Sequence, residues 1–507
     1  MKISLINVQA SEGNNIVPPL GVLYIAAVLE KMGHTLQVLD VDPDVAPCVE
    51  QIRAFAPAVI GLSCYTNTYP KARRLTARLK QELPQATFIC GGVHATAKPL
   101  ETIRELGVDY LVYAEGERTI ARLVPLIESG DTGSLGDIKG LYYWHDGEAR
   151  FTGPPDLIED LDSIPFPARH LLNFEPYLAP PGMIRGYAME RVTTIFTSRG
   201  CPYPCIYCAS RIVQGKKVRR RSVANVIAEI RELVRDYGIH GFYICDDLVT
   251  GDREWMMEFA HTLAREQAEL LRVRPAQPGL RWACQARVDR ADAEMLTAMK
   301  QAGCMQLDFG VESGSDKTLK TMKKATRVEA ARQTFLTAKQ LGLRSCATFI
   351  LGFPGETEED MEESFRLAKE INADYTAFYF LTPYPGTPIY NTAVLNRWID
   401  PALTGDENFT HRQTALPIMA IEHAPEKLAA IRRRFQNHFF LRNYFRWRNV
   451  GYYARLVAVL LRRPRDAASC LARFLRTRRL DDLVESIFEL QQRQYRSRLE
   501  SRRGSEA

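Results

Sequence analysis

The stretch Phe196-Thr197-Ser198-Arg199-Gly200-Cys201-Pro202-Tyr203-Pro204-Cys205-Ile206-Tyr207-Cys208 constrains this chain more than any other, because three cysteines at C-x3-C-x2-C follow a strand-like run. Thiolates are the usual ligands of iron-sulfur clusters, and a cubane held by only three of them keeps one iron open to an exchangeable ligand. Gly200, Pro202 and Pro204 keep the segment out of helix and strand, so the loop is free to wrap a cluster and aim backbone N–H groups at its sulfides. The alternatives are a structural zinc site and three unconnected core cysteines. Zinc takes four closed ligands, and the nearest histidines, His170 and His240, lie about thirty residues away on either side.

This spacing, with the aromatic Tyr207 before the last cysteine, resembles the radical S-adenosylmethionine (SAM) family. The resemblance implies a 4Fe-4S cluster on Cys201, Cys205 and Cys208. SAM would chelate the fourth iron through its amino and carboxylate groups and be cleaved by one electron to a 5'-deoxyadenosyl radical, the electron coming from a flavodoxin- or ferredoxin-type donor.

Upstream of about residue 115, short apolar runs alternate with helical stretches: Ile3 to Asn7, Leu36 to Leu39, Ala58 to Ser63, Thr87 to Cys90 and Tyr110 to Tyr113 are separated by helix-like segments. Buried strands joined by helices predict a parallel sheet covered on both faces. In such a sheet ligands lie beyond the carboxyl ends of the strands. Joined to the cysteine loop, this half resembles the cobalamin-binding domain of the B12-binding radical SAM family, with Pro18-Pro19-Leu20-Gly21 before its first helix, a serine loop after the third strand and Gly91-Gly92 after the fourth. The resemblance implies cobalamin contacts at Ser63, Tyr65, Thr66, Gly91, Gly92 and Glu115. The loop after strand one, residues 10–15, contains no histidine for cobalt, and His94 reads as a hydrogen-bonding loop residue.

From Val192 the alternation resumes with six βα-like units, which predicts a partial barrel. Polar or glycine-containing motifs end the strands: Asp246-Asp247, Arg287-Val288-Asp289, Gly310-Val311-Glu312-Ser313 and Gly352-Phe353-Pro354. Each alone reads as a helix cap. By resemblance, Tyr207, Asp246, Asp247, Arg287, Glu312, Ser313, Ile350, Gly352 and Pro354 face SAM. The expected class is α/β: a Rossmann-like cobalamin-binding domain over 1–140, a proline-rich linker over 141–190, the partial radical SAM barrel over 191–400 and a helical basic region over 401–507.

Charge is uneven. From Lys427 onward there are 20 Lys or Arg against 7 Asp or Glu, an excess of 13 in a chain whose net charge is +6, so the remainder carries about −7. Arginines interleaved with Phe439, Phe440, Tyr444, Phe445 and Trp447 suit either helices that close the barrel or peripheral contact with an acidic membrane, the latter fitting a lipid-like substrate. Eleven cysteines without regular spacing outside the loop, and an N-terminus that enters a strand at once, predict a cytoplasmic enzyme.

The function implied is a cobalamin-dependent C-methyltransferase acting on an unactivated carbon of a small-molecule or lipid-like substrate. Ring-forming or ring-contracting enzymes of the same family share these motifs. Two other readings stand beside it: an RNA methylthiotransferase with a second cluster on Cys48, Cys64 and Cys90, and a cobalamin or redox sensor. No OB-like module follows the barrel for the first, and no nucleic-acid-binding motif is apparent for the second.

Overall fold

The computed structural model describes residues 1–9, 17–42, 48–178, 191–272, 279–405 and 416–444, with isolated positions elsewhere. The histidine-free loop 10–15 and the tail beyond 444, with Phe445 and Trp447, lie outside the described residues.

The first half is a seven-stranded sheet. Strands β1 (Lys2–Val8), β2 (Thr35–Val41), β3 (Val59–Ser63), β4 (Thr87–Gly91) and β5 (Tyr110–Val112) run parallel, and β6 (Leu141–His145) and β7 (Glu148–Phe151) are added antiparallel, in the order β2-β1-β3-β4-β5-β6-β7. Helices cover both faces, so β1, which reads Lys-Ile-Ser-Leu-Ile-Asn-Val, buries its last six residues. The hairpin β6–β7 corrects the boundary expected at residue 140. Trp144 Nε1 donates to the Val108 carbonyl at 2.8 Å and Tyr142 stacks on Phe151, so these residues extend the first domain and do not begin the linker. Aromatic strand formers on either side of the Asp146-Gly147 turn build this hairpin ahead of the prolines of the linker.

Prolines then carry residues 152–178 around the junction in short turns, with Ala168 N–H donating to the Leu23 carbonyl at 3.1 Å. The second half contains β8 (Val192–Ile195), a small antiparallel pair β9 (Ser198–Arg199) and β10 (Arg219–Arg220), then β11 (Gly241–Ile244), β12 (Arg281–Ala286), β13 (Cys304–Glu312), β14 (Arg344–Leu351) and β15 (Tyr375–Phe380). The large sheet is wholly parallel in the order β15-β14-β13-β12-β11-β8, an open six-stranded barrel wall.

Local chemistry fixes the crossings. The helix Val223–Tyr237 starts where Ser222 Oγ accepts from Asn225 N–H at 3.1 Å and stops at left-handed Gly238. Helix Glu358–Ile371 opens on a reciprocal Thr357/Asp360 capping box.

The outer edge at β15 is closed by the helix Pro425–Tyr444. Asn443 donates to the Thr376 carbonyl at 2.8 Å and accepts from its N–H at 2.9 Å, while Gln436 donates to the Phe378 carbonyl at 3.1 Å. Phe435 and Phe439, both fully buried, pack on Phe365 and Phe378. Side chains thereby satisfy an edge that would otherwise present open backbone groups. The described part of the basic region seals the barrel, and its Lys427 and Arg434 pair with Glu358 and Glu362. Among the described residues no helix is long and apolar enough to cross a membrane.

Candidate active site

Gly200 makes the cysteine loop possible. It sits at φ +96°, and a Cβ there would lie 2.1 Å from the Lys217 carbonyl oxygen, so the chain turns tightly against the segment leading into β10. Cys201 N–H donates to the Gly215 carbonyl at 3.2 Å, Cys208 N–H to the Cys205 carbonyl at 3.3 Å and Ile206 N–H to the Met322 carbonyl at 3.2 Å. The three thiols are half-buried and line one cavity of about 420 Å³ at the barrel's mouth.

Burial and neighbouring acidic groups push the Cys208 thiol up to about 12, and burial raises that of Cys201. Binding a metal would displace the proton from these thiols. Among the described residues no three His, Cys, Asp or Glu draw together tightly enough to share one metal ion. Three thiols lining one cavity fit a multi-iron cluster, where each thiolate binds its own iron.

Tyr207, Asp247, Arg287, Glu312 and Ile350 line the same cavity. Asp247 Oδ2 is buried without a hydrogen-bond partner, and burial raises this carboxyl against the lowering pull of the nearby Ser210 hydroxyl. Arg287 stacks on Tyr203 with its guanidinium 3.5 Å from the ring centre and pairs with Asp289 at 2.9 Å. Glu312 takes φ +69° where β13 bulges against β14, and its Oε1 lies 2.8 Å from Lys324 Nζ.

Four residues expected to face SAM stand elsewhere. Asp246 is fully buried and accepts from Thr197 N–H at 2.7 Å and from the Thr197 and Ser198 hydroxyls at 2.5 Å, fastening the end of β11 to the start of the cysteine loop. Ser313 is buried behind β13, accepting from Ser315 N–H at 3.1 Å beside Ser364. Gly352 and Pro354 do not line the cavity; Gly352 N–H donates to Glu356 at 2.7 Å. Asp246 is thus spent on the neighbouring strand's loop, and Ser313 on the turn that follows its own strand.

On the first domain, Ser63, Gly91 and Gly92 come together at the carboxyl edge. Gly92 has φ +92°, and a Cβ there would meet Ser63 Oγ at 2.7 Å, so this floor stays flat only without side chains. Tyr65, on the loop after β3, keeps 52% of its surface accessible and so offers its ring to a ligand.

Thr66 is instead buried, its Oγ1 3.2 Å from His94 Nδ1. His94 stacks on Tyr69 at 4.1 Å, and burial lowers it to about 4, so the ring stands neutral with its Nε2 buried and unpartnered. Glu115 is taken by Arg219, which donates to its Oε2 at 2.8 Å, while neighbouring Glu117 binds Arg199 at 2.6 Å. This acidic loop is therefore a buried bracket between the domains and offers no carboxylate to a ligand. Cys48, Cys64 and Cys90 lie in the core of the first domain, in line with the core alternative to a second cluster.

Sequence reasoning missed Lys324, Tyr203, Tyr243, Gln285, Asp308, Thr348 and Tyr379, all of which line the cavity. Alternation along β13 puts Asp308 and Gly310 on the face of Glu312 and would have found Asp308. Lys324 arrives on a turn and leaves no such signal.

Comparison with known proteins accords with this geometry. Residues 7–124 match the B12 binding domain family and residues 195–368 the radical SAM superfamily. An uncharacterized methyltransferase, PH0819, of Pyrococcus horikoshii is 31% identical, covering 84% of this chain and 88% of its own length. Cytidylyl-2-hydroxyethylphosphonate methyltransferase of Streptomyces wedmorensis is 28% identical over 86% of this chain and 90% of its own. The radical SAM methyltransferase TsrM of Kitasatospora setae, solved with cobalamin and a 4Fe-4S cluster, superposes with a TM-score of 0.64 at 18% identity, covering 78% of this chain and 75% of that one.

Proposed function

Because this chain belongs to the cobalamin-dependent radical SAM methyltransferase family, whose cofactors are cobalamin, a 4Fe-4S cluster and SAM, we propose that it methylates an unactivated carbon of a small polar molecule held between its two domains. The observation that carries this reading is the meeting of two ligand-bearing edges. The helix Val93–Ala97, which Gly92 opens, ends at Lys98, and Lys98 Nζ lies 5.8 Å from the ring centre of Tyr390, six residues past the cavity-lining Tyr384.

When bound, the three cofactors supply a radical that removes hydrogen from an sp3 carbon and a methyl group that replaces it. The protein's own part is to bind, orient and keep water out. Cys201, Cys205 and Cys208 hold the cluster. Asp247, through its unpartnered oxygen, accepts from the ammonium group of SAM; Glu312 accepts from a hydroxyl; Tyr207, packed edge-on against Phe353 at 6.3 Å, and Ile350 give the apolar wall for adenine. Arg287, stacked on Tyr203, holds the loop between the first two cysteines. Ser63, Tyr65, Gly91 and Gly92 form the cobalamin surface.

The deeper wall, with Gln285, Asp308, Thr348, Tyr243 and Tyr379, favours a substrate rich in hydrogen-bonding groups over a lipid. A flavodoxin- or ferredoxin-type protein supplies electrons. The test is incubation of reconstituted enzyme, SAM labelled in its methyl group and reductant with a cell extract. A new small molecule carrying the label supports the proposal, and release of 5'-deoxyadenosine with only unlabelled products would replace methylation by another radical reaction.

A further inference from the structure

We propose that a small acidic one-electron carrier protein docks on the cationic face beside the cysteine loop formed by Arg290, Lys320, Lys323 and Arg327, an inference that rests on the reading above and gives the electron donor it requires a place on this chain. Residues 317–327 contain the cations Lys317, Lys320, Lys323, Lys324 and Arg327 and no carboxylate, in the part of the chain that is acidic overall. Two of them are engaged: Lys317 pairs with Asp360 at 2.7 Å, and Lys324 turns inward to Glu312 at 2.8 Å. Lys320, Lys323 and Arg327 are exposed, and none of the three has a carboxylate partner among the described residues. The carboxylates nearest in sequence are occupied, Asp316 by the Val328 N–H at 2.8 Å and Glu329 by Arg332 and Gln333.

The turn that carries these cations is fastened to the cysteine loop. Lys323 and Ala325 stand at φ +52° and +53°, and neither is glycine, so the turn is strained and persists because its surroundings enforce it. Arg287 donates to the Lys324 carbonyl at 2.9 Å and to the Ala325 carbonyl at 3.3 Å, and Ile206 N–H, between Cys205 and Cys208, donates to the Met322 carbonyl at 3.2 Å. Lys323 is therefore one residue away from a hydrogen bond to the loop. Arg290, also exposed, donates to the Tyr203 hydroxyl at 2.6 Å, between Cys201 and Cys205. The cations thus flank the exposed Pro202 and Pro204.

An electron bound for a cluster on these cysteines must cross the loop from outside, because the cavity behind it is where SAM and substrate lie. The helix Ser210–Gln214, which follows the loop, packs on the helix Val93–Ala97 of the first domain, so that flank is covered. The edge with Pro202 and Pro204 stays open, and its surplus of positive charge complements an acidic surface, steering the encounter and fixing its orientation. One electron passes from the reduced carrier to the cluster; the carrier leaves oxidised by one electron, and no bond or proton moves.

The test uses reconstituted holoenzyme and two reductants, a reduced bacterial flavodoxin and photoreduced 5-deazaflavin, which is small and neutral. Flavodoxin affinity is measured by titration, and cluster reduction is followed by absorbance. Reversing the three charges together, with Lys320→Glu, Lys323→Glu and Arg327→Glu, should weaken flavodoxin binding and slow reduction by it roughly ten- to hundredfold at low salt, and leave reduction by the deazaflavin unchanged. The neutral set Lys320→Gln, Lys323→Gln and Arg327→Gln should fall between and guards against a reversed variant that fails to fold. Raising the salt should slow the wild type toward the reversed variant. The control set Lys31→Glu, Arg104→Glu and Arg122→Glu changes net charge equally on helices of the first domain and should stay near wild type. Flavodoxin binding that the three reversals leave intact, an equal loss in the control set, or equal slowing with the deazaflavin would overturn the docking site. A wild-type cluster that neither reductant reduces would instead bring down the functional reading beneath it.

Discussion

Replacing Gly200 by alanine should cost the protein its cluster while leaving cobalamin in place. The residue precedes Cys201 and sits at φ +96°, a conformation that side chains rarely adopt. The added Cβ would lie 2.1 Å from the Lys217 carbonyl oxygen, 2.9 Å from its carbon and 3.3 Å from the Gln214 oxygen, where ordinary contact begins at 3.4 Å. The nearest atom is rigid backbone, so the loop must retreat by the difference, 1.3 Å, from the segment that leads into β10. Backbone strain of about 1–2 kcal/mol and overpacking of about 1–3 kcal/mol together give roughly 2–5 kcal/mol against the wrapped loop. Iron and acid-labile sulfide measured after anaerobic reconstitution should fall from about four per chain to well under one. Gly355→Ala is the control: it carries a positive φ of 76° but has nothing within 4 Å, so it pays only the backbone strain and keeps the cluster. A Gly200→Ala protein with full iron and normal SAM binding would refute the argument that this contact shapes the loop.

The bracket between the domains makes its own forecast: Glu115→Gln or Arg219→Met alone should lower unfolding free energy by about 3–5 kcal/mol by stranding a buried charge, and the double variant should recover much of the loss, as read from denaturant unfolding. Asp247→Asn should weaken SAM binding roughly tenfold with little change in stability, whereas Asp246→Asn, which sets an amide N–H against the donors of Thr197 and Ser198, should destabilise the barrel; the reverse pattern would return Asp246 to the ligand site. Glu356 is pushed up to about 8 from 4.5 by burial. The folded state then holds a proton the unfolded state has lost, so stability falls as pH rises from 4.5 toward 8, by at most about 1.4 kcal/mol per unit. Glu356→Gln should flatten that slope in unfolding titrations, and an unchanged slope would assign it to another group.

The parallel sheets and the cluster loop were legible because their signals are local: apolar runs of strand length, glycines and prolines at turns, and cysteines at fixed spacing. Which carboxylates face the cavity was not. Asp246 and Asp247 are adjacent in sequence, yet one is spent on Thr197 and Ser198 and the other ends in an unpartnered oxygen. Glu115 read as a ligand because its loop ends a strand, but the arginine that takes it comes from 104 residues away. Lys324 is placed by the strained turn that Arg287 and Ile206 hold from distant segments. The hairpin β6–β7 was hidden by the prolines that follow it, since composition averaged over the stretch masked two short aromatic strands.

If cluster, SAM and cobalamin share one site, SAM methylates the cobalamin that this protein carries. The most direct test is to give the anaerobically reconstituted protein hydroxocobalamin, reductant and SAM labelled in its methyl group, then identify the cobalamin it carries by mass. The wild type should carry methylcobalamin bearing the label. A protein that retains no cobalamin, or retains it unmethylated while SAM goes unconsumed, would contradict it.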